Sequence, residues 1–167
     1  DEGSALAREA GALYGLMQEN VRSLRTVVQG VVPVQANGNG LMVALTNLCA
    51  RMTELYGVPC TFVYETPVRL DDFELAAQLY YVAQEAVVNA LKHAGPSAVE
   101  LSLVRTDGHV ALNVRDDGTG FEPGGTPASG GMGLRLMAYR ARLVGAQLEV
   151  ASEPGGGTTV TCVFKAP

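Results

Sequence analysis

The chain has 167 residues, 47% of them hydrophobic, a length that suits one domain with room for a helical segment beside it. A net charge of −5 with only 17% charged residues argues against a nucleic-acid partner, and no apolar run reaches the roughly 18 residues of a membrane span. Three cysteines without a C-x-x-C pair exclude zinc fingers and disulfide scaffolds and predict a reducing, cytoplasmic compartment.

Residues 1–33 predict part of a helix with one apolar seam. Because a lone helix of this length cannot bury such a seam, we expect a partner helix, with packing on its own domain as the alternative. Pro33 ends the helix, and the Asn- and Gly-rich residues after it predict a loop, so a second domain is expected over 34–167. The seam is formed by Leu6, Ala10, Leu13, Met17, Leu24, Val27 and Val31.

The remaining sequence predicts alternating helices and strands. Helices are expected at 41–56, about 71–93 and 134–144, and strands at 60–64, 99–106, 109–115, 147–151 and 158–164. We expect Asp71 or Asp72 to cap the second helix, and Asp107 with Gly108 to form a tight hairpin turn. This order predicts an α+β sandwich in which helices cover one face of a mixed sheet.

The second predicted helix carries a polar stripe. Its members recur at intervals of three, four and seven residues and therefore share one face: Gln78, Glu85, Asn89, Lys92 and His93. Taken alone, such a stripe is most simply interpreted as a solvated helix face. Its interpretation changes only when the glycine-rich segments further along the chain are considered with it.

Two glycine-rich segments accompany that stripe. Asp116 and Asp117 end a strand where the chain turns to glycine, and glycines allow a ligand to approach the backbone closely. Residues 130–133 open the third helix, whose free amides and dipole favour an anion. The irregular stretch 118–133 is too long for an ordinary turn and predicts a mobile lid. These features are unlikely to occur together by chance in one short domain, so they favour a ligand site.

Other catalytic and nucleotide signatures are absent from the sequence. The chain contains neither the P-loop pattern nor the dinucleotide pattern G-x-G-x-x-G. It also lacks H-E-x-x-H and G-x-S-x-G, which removes support for zinc proteases and for hydrolases with a nucleophile elbow.

Four segments resemble, in order, the motifs of the GHKL ATPase superfamily, which implies its two-layer α/β (Bergerat) fold. Residues 84–94 are similar to the N box, 116–121 to the G1 box, 131–134 to the G2 box and 155–158 to the final G-T turn. The Lys-His ending of the N box most resembles sensor histidine kinases of the nitrate-sensor and DesK type. In that subfamily, residues 21–64 would correspond to the second dimerisation helix and the start of the ATPase domain.

The resemblance implies ATP and Mg²⁺ as cofactors and gives the N box its roles. Asn89 would ligate Mg²⁺ through its amide oxygen, a hard donor for a hard cation. Glu85 would orient the attacking group or accept its proton. Lys92 and His93 would face the phosphates. Catalysis would therefore depend on Glu85 and Asn89.

The same resemblance assigns the adenine and phosphate contacts. Asp116 would accept a hydrogen bond from the adenine amino group, and Thr158 would add another near the base. Gly118 and Gly120 would let the base lie against the backbone. The G2 box would present amides to the phosphates, and the loop before it would close over the nucleotide. The G2 residues implied in cofactor binding are Gly131, Gly133 and Leu134.

A histidine kinase of this kind would transfer the γ-phosphate of ATP to a histidine on an upstream dimerisation helix, for relay to a response regulator. No histidine precedes His93, and His109 follows a hairpin turn as an expected exposed strand residue. We therefore expect the chain, which begins without Met, to be a piece of a longer homodimeric protein, cut after the acceptor helix; the alternative is a protein that lacks that helix. Whether that protein is tethered to a membrane stays open.

Two alternatives share the same fold. One is a non-catalytic module in which ATP gates an interface, which an intact Glu85 and Asn89 argue against. The other is an anti-sigma-type serine kinase, which predicts no helical seam upstream. The run from Leu136 to Arg140 also departs from the family pattern, which puts contacts made by the third helix in question.

Overall fold

A computed structural model describes residues 34–35, 37–122 and 131–166. The apolar seam predicted over residues 1–33, and with it the domain boundary, lies outside the described residues. So does half of the predicted lid, from 123 to 130. These expectations stay predictions. None of the helices in the described ranges combines the length and the apolar composition that crossing a membrane requires.

Helices and strands alternate along the described chain much as the sequence predicts. They are α1 (Gly40–Tyr56), β1 (Cys60–Tyr64), α2 (Phe73–Asn89), a π-helical segment (Ala90–Ala94), β2 (Val99–Thr106), β3 (His109–Asp116), α3 (Met132–Leu143), β4 (Gln147–Glu153) and β5 (Gly157–Lys165). His109 is exposed at the start of its strand, as expected.

The strands form one mixed sheet in the order β1-β2-β3-β5-β4. β1 pairs with β2 in parallel, and the other neighbours pair antiparallel. Alternate strand residues point into a core shared with the helices, where Leu101 and Leu112 of the sheet and Leu45 and Leu79 of the helices are fully buried. The predicted α+β sandwich is confirmed.

Local sequence signals explain where several elements begin and end. Asp72 caps α2, because its Oδ1 accepts a hydrogen bond of 3.0 Å from the amide of Leu75. Asp107 and Gly108 both have positive φ, 47° and 79°, as a two-residue hairpin turn of the primed type requires. Both features agree with the sequence-based expectation.

Three boundaries differ from expectation. The second helix does not continue as an α-helix to His93, because residues 90–94 widen into the π-helical segment and direct the Ala94 carbonyl toward Thr119. α3 starts at Met132, two residues before the predicted position, since Gly131 already serves as its N-cap. β4 extends to Glu153 because its pairing with β5 continues to Gly157.

One row of paired residues crosses the whole sheet. Cys60 on β1 is the register partner of Val99 on β2, which in turn lies opposite Asp116 on β3. Asp116 lies opposite Thr158 on β5, and Thr158 lies opposite Ser152 on β4. This row places the acid at the end of β3 in line with polar side chains on the neighbouring strands.

Candidate functional site

The polar stripe on α2 faces α3. Gln78 accepts a hydrogen bond of 3.0 Å from Nη1 of Arg140, whose guanidinium lies 4.5 Å from the centre of the Tyr81 ring. Glu85 and Asn89, further along the stripe, are half-buried. The interpretation of the stripe as a solvated face is therefore wrong for these residues. Arg140 thus packs the third helix against α2, while contacts of that helix with a ligand stay a prediction.

Glu85 and Asn89 lie directly against the first turn of α3. A Cβ atom at Gly133 would lie 2.3 Å from Oε1 of Glu85 and 3.0 Å from Nδ2 of Asn89, so any side chain there would displace the ends of these two side chains. The N-cap, Gly131, offers no side chain to the free amides of that turn. A carboxylate, a carboxamide and the first amides of a helix thus share one small region.

The turn that follows β3, residues 116–121, is called the acid turn here and is built around Asp116. Its side chain is only 7% exposed, and its Oδ1 accepts a hydrogen bond of 2.9 Å from the amide of Gly118. Burial of a carboxylate is costly unless the carboxylate is hydrogen-bonded, and the Gly118 amide supplies such a bond to Asp116. The amide of Gly118 holds the carboxylate in one orientation at the end of the sheet.

The acid turn is attached to the end of the π-helical segment. The amide of Thr119 donates a hydrogen bond of 2.9 Å to the carbonyl of Ala94. A Cβ atom at Gly118 would lie 2.5 Å from the Ala94 Cβ and 2.6 Å from its carbonyl oxygen. The segment 84–94 therefore lies against glycines of two other motif segments, Gly133 near its middle and Gly118 at its end.

The β4-β5 hairpin holds the other side of the acid turn. The amide of Gly155 donates to the carbonyl of Thr119 at 2.6 Å. Gly120, with φ of 60°, lies so close to the hairpin backbone that a Cβ there would be 2.0 Å from the carbonyl oxygen of Glu153. A side chain at Gly120 would therefore separate the two segments.

Ser152 is the centre of this arrangement, and sequence reasoning missed it. Its hydroxyl accepts from the amide of Phe121, donates to the carbonyl of Gly157 and contacts Oγ1 of Thr158, each at 2.9 Å. Since the hydroxyl has one hydrogen, Thr158 is the donor in the third contact and keeps only acceptor capacity toward a ligand. A polar residue at an inward position of β4 was the available signal.

Asp117 has a structural role that the sequence did not reveal. Its carboxylate accepts hydrogen bonds from the amides of Ser97 and Ala98, at 2.8 and 3.1 Å, and from the Ser97 hydroxyl. The Ser97 hydroxyl, followed by these amides, lowers the pKa of Asp117. The two adjacent acids therefore have different roles. Asp116 belongs to the row of paired residues that crosses the sheet, whereas Asp117 binds the two residues just before β2.

The remaining predicted residues border this group. Lys92 and His93 are exposed on the π-helical segment, Gly131 is exposed at the N-cap of α3, and Leu134 is half-buried in its first turn. Their contacts with a ligand stay predictions.

The donor set fits one class of cation. In the described ranges no group of three or more His, Cys, Asp or Glu residues could hold a metal ion by itself. An amide oxygen from Asn89 beside the Glu85 carboxylate suits Mg²⁺, which binds few protein ligands and completes its shell with phosphate oxygens and water. The residues thus fit a cation that arrives with a phosphorylated ligand.

Comparison with known proteins identifies the same region. The family described as "Histidine kinase-, DNA gyrase B-, and HSP90-like ATPase" matches residues 74–167. The chain is 31% identical to the oxygen sensor histidine kinase NreB of Staphylococcus carnosus, covering 89% of this chain and 43% of that protein. It is 30% identical to the nitrate/nitrite sensor protein NarX of Escherichia coli, covering 96% and 25% respectively. The chain thus spans less than half the length of these curated relatives.

Solved structures agree with the fold. The ATP binding domain of PrrB from Mycobacterium tuberculosis matches with a TM-score of 0.62 at 25% identity, covering 75% of this chain and 93% of that one. The histidine kinase domain of the blue-light activated kinase EL346 from Erythrobacter litoralis matches with a TM-score of 0.65 at 22% identity, covering 79% and 64%. The resemblance to nitrate-sensor kinases inferred from the four motifs is confirmed.

Proposed function

Because the chain belongs to the family of histidine kinase-, DNA gyrase B- and HSP90-like ATPases, we propose that it binds Mg-ATP between α2, α3 and the acid turn. One observation carries the proposal: α2 and the π-helical segment that continues it lie against two of the other three motif segments. Gly133 lies against Glu85 and Asn89, and Thr119 is hydrogen-bonded to Ala94. A ligand at this junction would lie beside groups from all three segments.

The phosphates belong at the N-terminus of α3. Its free amides and helix dipole attract anionic oxygens, and the exposed Lys92 and His93 add positive or hydrogen-bonding groups nearby. Asn89 would hold Mg²⁺, which neutralises charge on the phosphates when bound. Glu85, one helical turn before Asn89, would orient the group that attacks the γ-phosphate or accept its proton.

The adenine belongs beside Asp116. A carboxylate accepts hydrogen bonds only, so it pairs with the amino group of adenine and disfavours the carbonyl that guanine carries at that position. Thr158 lies opposite Asp116 in the sheet, and its donation to Ser152 leaves its hydroxyl as an acceptor. The glycines at 118 and 120 remove side chains that would stand between the base and the backbone.

In the longer protein, this domain would transfer the γ-phosphate of ATP to a histidine on an upstream dimerisation helix. The phosphoryl group would then pass to a response regulator, in a homodimer whose catalytic domains lie in the cytoplasm. What supports this is the alignment of 89% and 96% of the chain with NreB and NarX, both named as sensors. Phosphoryl transfer depends mainly on positioning and charge stabilisation, which this set of groups can supply.

The binding proposal is tested by calorimetric titration of the protein with Mg-ATP. Asn89→Ala should reduce the affinity for ATP in the presence of Mg²⁺ by about tenfold or more, through loss of a charge-assisted contact. Asn113→Ala is a matched control, because Asn113 bonds Ser102 and Thr161 on the other face of the sheet. Unchanged Mg-ATP affinity in Asn89→Ala would contradict the assignment.

Phosphotransfer is tested by adding the upstream helix of the same protein, made separately and extended to include its histidine. Incubation with γ-labelled ATP should place acid-labile phosphate on that histidine. ATP binding without any phosphohistidine would instead favour a non-catalytic module in which the nucleotide controls an interface.

A further inference from the structure

Two of the three cysteines meet between α1 and β1, in the part of the chain that precedes the family match at residue 74. Cys49 on α1 is 4% exposed, and Cys60, the first residue of β1, is 8% exposed. Their side chains lie close enough for each thiol to shift the pKa of the other. Cys162 is buried on β5, opposite Leu112 and Leu148, and belongs to a different part of the sheet. The proposed ATP site makes no use of this thiol pair.

The backbone holds the pair in place. Thr53 lies one helical turn after Cys49, so both side chains project from the same side of α1. The hydroxyl of Thr53 accepts a hydrogen bond of 2.9 Å from the Cys60 amide and bonds the Cys60 carbonyl at 3.4 Å. Because this contact fixes the start of β1 against the last turns of α1, the proximity of the two sulfurs follows from the fold.

The two thiols differ in acidity. Cys49 donates its hydrogen bond to Cys60, which lowers the pKa of Cys60. That shared hydrogen bond and burial raise the pKa of Cys49. Cys60, the more exposed of the two, is therefore the better nucleophile. In the described ranges no third His, Cys, Asp or Glu completes a metal site around them, which favours redox chemistry over metal binding.

We propose that Cys49 and Cys60 form a peroxide-reactive dithiol, a modification site whose oxidation to a disulfide weakens nucleotide binding nearby. The thiolate of Cys60 attacks one oxygen of hydrogen peroxide, which breaks the O–O bond and gives a sulfenic acid and hydroxide, and the hydroxide takes up the proton released by the Cys60 thiol to become the first water. The sulfur of Cys49 then attacks the Cys60 sulfur and expels the second water, which carries the Cys49 proton. Two thiols are oxidised by two electrons, and peroxide is reduced to two molecules of water.

The effect on nucleotide binding rests on the proposed function and on a short connection through β2. Cys60 stands in the same cross-strand row as Asp116, two strands away, or roughly 10 Å at the usual strand spacing. The amide of Val99, between them, donates to the carbonyl of Pro59 at 2.9 Å. The preceding residue, Ala98, donates to the Asp117 carboxylate. Ala98 and Val99, which are consecutive in the chain, therefore connect the residue before Cys60 to the acid turn.

Oxidation requires movement at this point. A disulfide holds its sulfurs about 2.05 Å apart, closer than two unbonded thiols can lie, so oxidation draws the sulfurs together and would pull α1 and the start of β1 toward each other. The Pro59 carbonyl binds the first residue of β2, and the Asp117 carboxylate binds the residue before it. A shift of β1 would therefore displace the turn that carries Asp116. The oxidised protein should bind ATP more weakly, by roughly fivefold or more if the coupling is typical.

The test exposes the full chain to hydrogen peroxide, blocks the remaining thiols by alkylation and maps cross-linked peptides by mass spectrometry. We expect a link between Cys49 and Cys60, a loss of ATP affinity measured by calorimetry, and recovery of both after reduction with dithiothreitol. Cys162→Ser is the control and should behave like the wild type. Cys49→Ser and Cys60→Ser should each abolish the link and make ATP affinity insensitive to peroxide.

The outcomes are distinguishable. Absence of the Cys49–Cys60 link in peroxide-treated wild-type protein would overturn the proposal, as would a linked protein that binds ATP as tightly as the reduced form. Failure of the reduced protein to bind ATP at all would instead contradict the proposed function. Because the cross-link is mapped in wild-type protein, a serine variant that fails to fold leaves the test decisive.

Discussion

The carbonyl of Ala94 accepts a hydrogen bond of 2.9 Å from the amide of Thr119, and this contact joins the end of one motif to the centre of another. It depends on Gly118, which lies against Ala94 with no space for a side chain. The nucleotide-binding proposal therefore makes specific demands on individual glycines, which substitution can test.

Gly118→Ala should destabilise the protein. A methyl group there would meet the Cβ and carbonyl of Ala94, neither of which is the flexible end of a side chain, so the backbone must move. We expect a cost of about 1–3 kcal/mol, typical of overpacking. Thermal unfolding measures it, with Gly131→Ala as the control, because a Cβ at Gly131 meets nothing within 4 Å. Equal stability of the two variants would be inconsistent with the close contact.

Gly133→Ala should weaken Mg-ATP binding without destabilising the fold. Its added methyl meets the ends of two flexible side chains, Glu85 and Asn89, which can move away at little cost to folding. Displacing the groups proposed to orient the phosphates should reduce Mg-ATP affinity by about tenfold or more, while the melting temperature stays near that of the wild type. Calorimetric titration and thermal unfolding of one sample decide the matter, and full retention of affinity would refute the placement of the phosphates.

Asp116→Asn should alter base preference. The amide can still accept the hydrogen bond from Gly118 through its oxygen, so the turn should persist. The charged acceptor proposed for the adenine amino group is lost, however, at a cost of about 1.5–3 kcal/mol in ATP affinity. Competition between ATP and GTP gives the readout. A parallel loss for both nucleotides would argue that Asp116 supports the turn without reading the base.

Ser152→Ala should destabilise the β4-β5 hairpin. Removal of the hydroxyl leaves the Phe121 amide and the Gly157 carbonyl without their partner, which costs about 1–3 kcal/mol where such groups are buried. Ser102→Ala is the matched control, since the Ser102 hydroxyl has one side-chain contact, with Asn113, on the other face of the sheet. Urea denaturation should show the larger loss for Ser152→Ala, and the reverse order would count against Ser152 as the centre of the arrangement.

The pH dependence of the free energy of unfolding should show the stabilisation that the ionised Asp117 carboxylate provides. Its pKa in the folded protein lies below the ordinary value of 3.8, so the stabilisation it provides is present above that value and is lost as pH falls through the folded pKa. Asp117→Asn should therefore be less stable than the wild type at neutral pH, with a difference that diminishes in acid. Urea unfolding at a series of pH values measures it. A difference independent of pH would mean that the charge is unimportant.

The sequence was sufficient for local features and insufficient for contacts between elements. Alternation in β2 and β3, the cap at Asp72 and the turn at Asp107 each depend on neighbouring residues, and each is where the sequence predicts it. Periodicity placed Glu85 and Asn89 on one face of a helix but could not show that α3 covers that face. Which element packs against a polar stripe depends on the whole chain.

The same limit applies to Ser152 and to the Cys49–Cys60 pair. Each forms contacts with a residue on another element or beyond a turn, so no fixed spacing in the sequence predicts them. The π-helical segment is also set by tertiary structure, because its last carbonyl is directed by the acid turn that binds it. Propensity alone predicts an ordinary α-helix through Ala90–Ala94.

The wide turn at Ala90–Ala94 gives this end of the helix room for an additional residue. A π-helical turn, bonded from residue i to residue i+5, holds one residue more than an α-helical turn. The Ala94 carbonyl therefore keeps its contact with Thr119 at the far side of a longer turn. Removal of one of the five residues would be absorbed by a return to ordinary α-helical winding, so such a deletion should change which side chains precede the acid turn and leave that contact in place.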